Sequence, residues 1–196
     1  MKKSKSRKNK IVLSDKPTNC LGSGSSVLLD FIEIIVQSLV IIFVIFTFVF
    51  RVAGVDGDSM MPTLNNGDWL LLSTFGSKYE PGDIVVTSQP STVNKPLIKR
   101  VIAVEGQVVD IDFSSGDVYV DGKLSQEDYI MDKTYLSYDV EFPHIVEQGK
   151  VFVMGDNRNN SYDSRSTAIG DIDTDYIVGK AEYRLYPLRS FGDLYD

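Results

Sequence analysis

The longest uncharged stretch of this chain, Ile34 to Phe50, limits its possible folds more than any other feature. Its 17 residues are mainly Ile, Val and Phe, and the apolar segment lengthens to 24 residues when it is counted from Val27. A helix rises about 1.5 Å per residue, so this segment is long enough to cross a hydrocarbon core of roughly 30 Å. It therefore predicts one transmembrane helix over residues 27–50.

Two other interpretations of this segment fit the sequence less well. A helix in a soluble core normally carries a polar face, and Leu39 to Phe50 has none. A cleaved secretory signal needs a small residue two positions before its last residue, and Arg51 occupies that position relative to Ala53. We therefore expect the segment to remain in the protein as a membrane anchor.

Charge is divided unevenly about this segment. Before Leu28 the only acidic residue is Asp15, and the seven basic residues are Lys2, Lys3, Lys5, Arg7, Lys8, Lys10 and Lys16. Residues 1–26 end in a Gly- and Ser-rich stretch and are predicted to be a disordered basic tail. An excess of basic residues marks the cytoplasmic side, where they contact acidic lipid headgroups of the bilayer. The body, residues 51–196, is then expected on the extracellular face of the plasma membrane.

The composition of the body disfavours several kinds of function. Beyond residue 27 the chain holds 13 of its 20 basic residues but 26 of its 27 acidic ones, and an acidic body argues against nucleic-acid binding. The only cysteine is Cys20 and the only histidine is His144, so neither a Cys-based zinc site nor a multi-histidine centre can be assembled. We expect no metal and no cofactor.

After Arg51 the chain alternates short apolar and polar runs, which are separated by turn signals such as Asn66-Gly67-Asp68. This pattern is typical of antiparallel β-sheet, and we predict a mainly β, barrel-like domain. The predicted strands are Trp69–Ser73, Asp83–Thr87, Leu97–Val104, Val108–Asp112, Val118–Val120, Val151–Met154 and Tyr176–Val178.

Ser59 is the first residue that could carry chemistry, because it follows the apolar segment closely and lies within Gly57–Leu64. A glycine two positions earlier lets the backbone turn sharply and leaves N–H groups free to bind an oxyanion. Taken alone, the segment fits better a serine that only hydrogen-bonds its own turn.

A nucleophilic serine needs a base, and the chain offers two kinds. His144 lies between Pro143 and Ile145 with no motif that would orient it. Lys99 lies inside an apolar, strand-like run, where burial would lower its pKa and let the neutral amine act as a base. The alternative for Lys99 is an edge-strand charge that points to solvent.

A third stretch, Met154 to Arg165, is unusually polar for a segment that follows a β-type run. Its twelve residues include two Asp, two Arg, three Asn and two Ser. Such a loop can be solvated, or its charges can pair into a rigid support for a neighbouring site.

These stretches together resemble the type I signal peptidases (bacterial leader peptidases) in the short Gram-positive form with one N-terminal anchor. The resemblance is carried by Ser59–Leu64, Gly82–Val86, Lys99–Ile102 and Gly155–Arg165. It implies a membrane-bound serine endopeptidase that removes signal peptides from secreted preproteins after small residues of the Ala-x-Ala type.

The resemblance also implies roles for individual residues. Ser59 matches the nucleophile of a Ser/Lys dyad and Lys99 its general base, while Ser161 matches a residue that hydrogen-bonds and orients the lysine. Val55 and Ile98 match positions that line shallow apolar substrate pockets. An extended substrate would lie beside the site as an added β-strand.

Five further positions match residues that support the site through ion pairs. Asp163 is expected to fix the polar loop with Arg165 and Arg158, and Asp156 is expected to meet Arg100. Two alternatives remain. One is a soluble, self-cleaving repressor type of Ser/Lys protease, which the apolar segment disfavours. The other is a membrane-tethered binding module without enzymatic activity.

Overall fold

The computed structural model describes residues 23–74, 78–88 and 95–195, with the side chains of 23–26 and 45–49 left aside. Most of the predicted basic tail, including Cys20, lies outside the described residues. The chain up to Ile42 and the chain from Phe43 onward form two compact units.

Helix α1, Ser23–Val49, contains the apolar segment. Its stretch Val27–Val44 is long and apolar enough to cross a membrane, and none of it is buried. The helix begins earlier than predicted, so the last residues assigned to the disordered tail are helical, and serine is well tolerated where a helix starts. It also ends one residue earlier, because Phe50 pairs with Ser73 and opens the first strand.

From Phe50 the described chain is mainly antiparallel β, which confirms the predicted fold class. The strands are β1 (Phe50–Gly54), β2 (Trp69–Ser73), β3 (Ile84–Thr87), β4 (Leu97–Val104), β5 (Val108–Asp112), β6 (Asp117–Val120), β7 (Lys123–Leu124), β8 (His144–Ile145), β9 (Lys150–Met154), β10 (Ile172–Asp173), β11 (Ile177–Tyr186) and β12 (Gly192–Asp193). The helical turns described after Phe50 are short 3-10 helices at Arg158–Asn160, Thr174–Tyr176 and Leu188–Ser190.

These strands form two sheets. The larger has eight strands in the order β1-β2-β11-β3-β4-β9-β10, with β12 paired to β11, and it curls into a half-barrel. The smaller has the order β7-β6-β5-β8. Phe152 on β9 of the larger sheet is fully buried in one cluster with Val109, Ile111 and Val118 of the smaller sheet. This shared core holds the two sheets together.

The loop between β1 and β2 is fixed by a second core cluster. Met60 and Leu64 from this loop are buried with Leu72, Ile84 and Val86 of the larger sheet. Burying two large side chains from one short loop makes the loop part of the core. The segment that carries Ser59 is therefore held firmly against β3, the strand beside β4.

Candidate active site

Ser59 lies in the loop between β1 and β2, two residues after a turn that favours glycine. Gly57 has φ of +102°, in the region that side chains disfavour. Its N–H donates to Asn66 Oδ1 at 3.1 Å. With Met60 buried directly after it, Ser59 is placed on a turn fixed from both sides.

Lys99 and Ser59 meet directly. The Lys99 Nζ lies 2.8 Å from Ser59 Oγ and also donates to the carbonyl of Ile98 at 3.0 Å. The lysine is only 3% exposed, so its interpretation as an edge charge facing solvent is wrong. At 2.8 Å a charged amine donates to the hydroxyl, whereas a neutral amine can accept the hydroxyl proton.

The surroundings of Lys99 lower its pKa. Burial is the largest cause, because it disfavours the charged amine. The carboxylates of Asp163 and Asp156 oppose this effect and raise the pKa, while the Arg165 charge lowers it further. The net direction is downward, which increases the fraction of neutral amine available near neutral pH.

An apolar cavity of about 520 Å³ opens beside this pair. Ser59 and Lys99 line it together with Val55 and Ile98, the two residues that the resemblance assigned to substrate pockets. Strand β1 contributes Val52, Ala53 and Gly54 to the wall, and the start of β4 contributes Pro96 and Leu97. The cavity thus has one reactive hydroxyl in an otherwise mostly apolar groove.

Strand β4 supplies functional groups to both of its faces. Successive strand residues point to opposite sides, so Lys99 reaches Ser59 while Arg100 reaches Asp156. The Arg100 guanidinium contacts both carboxylate oxygens, with Nε–Oδ1 at 2.9 Å and Nη2–Oδ2 at 2.7 Å. Asp156 Oδ2 also accepts from the hydroxyl of Thr63, which ties the pair to the loop that carries Ser59.

Two more buried arginines hold the polar loop after β9. Arg165 contacts both oxygens of Asp163, at 2.8 and 2.9 Å, and neither side chain is exposed. Arg158 contacts both oxygens of Glu127 at 2.8 Å. Breaking one buried pair by removing a single partner costs about 3–5 kcal/mol, so the loop is rigidly held.

Two of the sequence expectations are not met by these contacts. Arg158 does not pair with Asp163, because both Asp163 oxygens are occupied by Arg165 and by the Gly155 N–H. Its partner is Glu127, in a loop that showed no motif. Ser161 is 3% exposed, but its hydroxyl makes no hydrogen bond to Lys99 or to any other described residue.

Gly155 brings the polar loop against Ser59. A side chain at this position would collide with the Ser161 hydroxyl and with the Ser59 carbonyl oxygen. The close backbone approach therefore requires glycine here. Sequence reasoning named Gly155 only as part of a motif, because the contact joins segments about a hundred positions apart.

His144 has a separate environment. It lies in β8 of the smaller sheet, where its Nε2 is 2.9 Å from Asp171 Oδ1, and it does not line the cavity beside Ser59. Within residues 23–74, 78–88 and 95–195, no group of three or more His, Cys, Asp or Glu side chains is arranged to hold a metal ion.

Comparison with known proteins adds an independent observation. Residues 28–186 match the family model described as "Signal peptidase, peptidase S26". The chain is 36% identical over 174 residues to "Probable signal peptidase I-1" of Synechocystis sp., which covers 83% of this chain and 85% of the relative. It is 33% identical over 182 residues to "Signal peptidase IB" of Staphylococcus aureus, with coverages of 84% and 92%. A solved signal peptidase I from Enterococcus faecalis V583 matches 53% of this chain and 96% of its own, with 25% identity and a TM-score of 0.43.

Proposed function

This chain belongs to the signal peptidase family, peptidase S26, and from that premise we propose that Ser59 is the nucleophile and Lys99 the general base with which it cleaves signal peptides. The observation that carries this proposal is the 2.8 Å distance between Lys99 Nζ and Ser59 Oγ. It unites a hydroxyl with an amine whose pKa burial lowers. This is the arrangement that a Ser/Lys protease needs.

The first half of the reaction acylates the enzyme. The Ser59 oxygen attacks the scissile carbonyl carbon while neutral Lys99 accepts the hydroxyl proton. The tetrahedral intermediate carries a negative oxygen, to which the Ser59 N–H is the proposed donor. That N–H makes no hydrogen bond within the part of the chain that the structure describes, so it is free for substrate. The protonated amine of Lys99 then donates its proton to the departing amine.

The second half releases the signal peptide. A water molecule attacks the ester that links the signal peptide to Ser59, and Lys99 accepts a proton from that water. Collapse of the second tetrahedral intermediate restores the Ser59 hydroxyl, to which Lys99 returns the proton. The buried pairs of Arg100 with Asp156 and of Arg165 with Asp163 support this geometry by holding the neighbouring loops.

The lining of the cavity supports the proposed preference for small side chains. Val55 and Ile98 line the same cavity as Ser59, and we propose that they limit the side chains that fit next to the nucleophile. In an extended peptide, alternate side chains point to the same face, so two restricted positions would be separated by one free position. This spacing agrees with cleavage after Ala-x-Ala, with the peptide lying between β1 and the start of β4.

The remaining proposal concerns the membrane. Residues 27–50, nearly all of which lie in helix α1, are the anchor. Residues 1–26 are the cytoplasmic tail, and residues 51–196 form the catalytic domain outside the plasma membrane. The seven basic residues before Leu28 support this orientation, because cytoplasmic flanks of membrane helices are enriched in Lys and Arg. Preproteins that carry signal peptides emerge on that outer side.

Replacing either member of the pair should abolish cleavage without unfolding the protein. Ser59→Ala and Lys99→Met are each expected to reduce kcat/KM for a purified preprotein by at least about 1,000-fold, as loss of a nucleophile or base does. Lys123→Met, at an exposed position of β7, is the matched control and should cleave normally. The melting temperature of each variant, compared with that of the wild type, shows whether the variant is folded. Normal processing by folded Ser59→Ala protein would support a binding module instead.

The cleavage rate should rise with pH. Below the pKa of Lys99 the amine is protonated and cannot accept the Ser59 proton, and above it the amine is neutral, so kcat/KM increases along a single limb. Because Asp163 raises this pKa, Asp163→Asn should move the limb to lower pH. Asp128→Asn, at an exposed position, should not move it. A rate that is flat with pH would contradict the role of Lys99.

Substrate size should matter at alternate positions. A preprotein with Ala at the last and third-last positions of its signal peptide is expected to be cleaved at least about 10-fold faster than one with Phe at either position. Phe at the middle position should have little effect. Val55→Ala and Ile98→Ala should each widen the accepted range, which measured kcat/KM for Ala, Val and Leu substrates would reveal. Equal cleavage of all these substrates would refute the pocket assignment.

The orientation can be read from cysteine labelling. Cys20 is the only cysteine and lies in the proposed cytoplasmic tail. In intact cells it should resist a membrane-impermeant maleimide until the membrane is permeabilised. Leu124→Cys, placed in a Cys20→Ser background at an exposed position of the catalytic domain, should react without permeabilisation. The reverse labelling pattern would overturn the proposed topology.

A further inference from the structure

Asn157 joins the polar loop after β9 to the loop that carries Ser59. Its backbone N–H donates to the Ser59 carbonyl at 3.0 Å. Its side-chain Nδ2 donates to the Asp58 carbonyl at 3.1 Å, across 99 positions of sequence. One residue therefore holds the two carbonyl oxygens immediately before and after the Ser59 side chain.

The identity of Asn157 is not explained by its local structure. It occupies the N-cap of the 3-10 helix Arg158–Asn160, where an Asn side chain commonly accepts a bond from the first turn. Here the side chain makes no such cap. The side-chain amide donates to the Asp58 carbonyl instead, so it contacts the loop between β1 and β2 that carries Ser59, called the nucleophile loop below.

The contact with Asp58 controls the direction of a second group. The Asp58 carbonyl and the Ser59 N–H belong to one trans peptide unit, in which the two groups point in opposite directions. The Met61 N–H also donates to this carbonyl, at 3.2 Å, so Asn157 and Met61 fix the carbonyl together and thereby fix the direction of the Ser59 N–H. A donor on the carbonyl also polarises the peptide, which strengthens the N–H as a donor.

We propose that Asn157 is a positioning residue whose side-chain amide, by holding the Asp58 carbonyl, aims the Ser59 N–H at the oxyanion of the tetrahedral intermediate. This inference rests on Ser59 being the nucleophile. It assigns to Asn157 a part in transition-state stabilisation that is separate from the proton transfer by Lys99.

The same polar loop contains two other asparagines that serve as comparators. The Asn159 side chain accepts from the N–H groups of Tyr135 and Leu136 and donates to the Lys133 carbonyl, so it braces a different loop. Asn160 is exposed, and its side chain makes no hydrogen bond to a described residue. Among the three, Asn157 alone has a side chain bonded to the nucleophile loop.

The principal variant is Asn157→Ser, which remains a good N-cap residue and is neutral but is too short to reach the Asp58 carbonyl. Its kcat for a signal-peptide substrate is expected to fall by about 10- to 100-fold, the scale of a weakened oxyanion donor. KM should stay within about threefold, because the lost interaction acts in the transition state. Asn160→Ser is the matched control and should retain the wild-type kcat.

A pair of ligands separates positioning from general structural damage. Ser59 attacks the carbonyl carbon of a peptide aldehyde: a C–O bond forms, the π bond of the carbonyl opens and Lys99 accepts the hydroxyl proton, which gives a tetrahedral adduct with an oxyanion. The corresponding peptide alcohol has no carbonyl and forms no such adduct. Asn157→Ser should weaken aldehyde inhibition by about 10- to 100-fold and leave alcohol binding unchanged. Its melting temperature and the pH limb of its rate should match those of the wild type.

Several outcomes would overturn the inference. These are a wild-type kcat in Asn157→Ser, equal weakening of the aldehyde and the alcohol, or full activity in Asn157→Asp, which keeps the size of the side chain but has no amide donor. Each of them leaves the proposed function intact as long as Ser59→Ala remains inactive. Cleavage by Ser59→Ala would instead remove the nucleophile assignment, and with it the premise of the inference.

Discussion

The structure of the candidate site depends on a buried amine that lies next to a hydroxyl. Lys99 is buried on a central strand, and its contact with Ser59 joins β4 to the loop between β1 and β2. Burial disfavours the charged form of an amine, so the same packing that brings the two groups together also lowers the pKa of Lys99. The position of Ser59 and the burial of Lys99 therefore depend on the same packing. The core around Met60 and Leu64 holds the loop that carries Ser59 against the larger sheet.

Rigidity around this contact comes from buried charge. Three arginines, Arg100, Arg158 and Arg165, each meet a carboxylate with two nitrogen atoms and use their other donors on backbone carbonyls or hydroxyls. Guanidinium suits this role because its planar fork matches a carboxylate and it stays charged when buried. Such pairs do not make a protein more stable than apolar packing would, but they fix the relative positions of loops that have no regular structure.

The sequence predicted the regular parts of the molecule better than its long-range polar contacts. Short apolar runs bounded by turn signals marked β2, β4 and β5 with their observed bounds. Strands β2 and β5 bury alternate residues, whereas β4 is buried on both faces. Strand β1 was not predicted, because its first residue, Phe50, is also the last residue of the apolar run that predicts the transmembrane helix. The Glu127 partner of Arg158 left no local signal, because an ion pair between loops has no periodicity. The Ser161 hydroxyl makes no hydrogen bond to any described residue, and this too depends on side-chain geometry that a motif does not specify.

Lys99 and Arg100 are consecutive residues of β4, which makes the site sensitive to a one-residue shift in the register of this strand. If β4 lost one residue before Lys99, each side chain would change faces, and a guanidinium would stand where the amine now meets the hydroxyl. Arginine remains charged at any pH at which the protein is folded, so it could not accept a proton. Val101 would in turn stand where Arg100 now meets Asp156, so the buried carboxylate would lose its cation. Single-residue insertions and deletions in this strand are therefore more damaging than most substitutions within it.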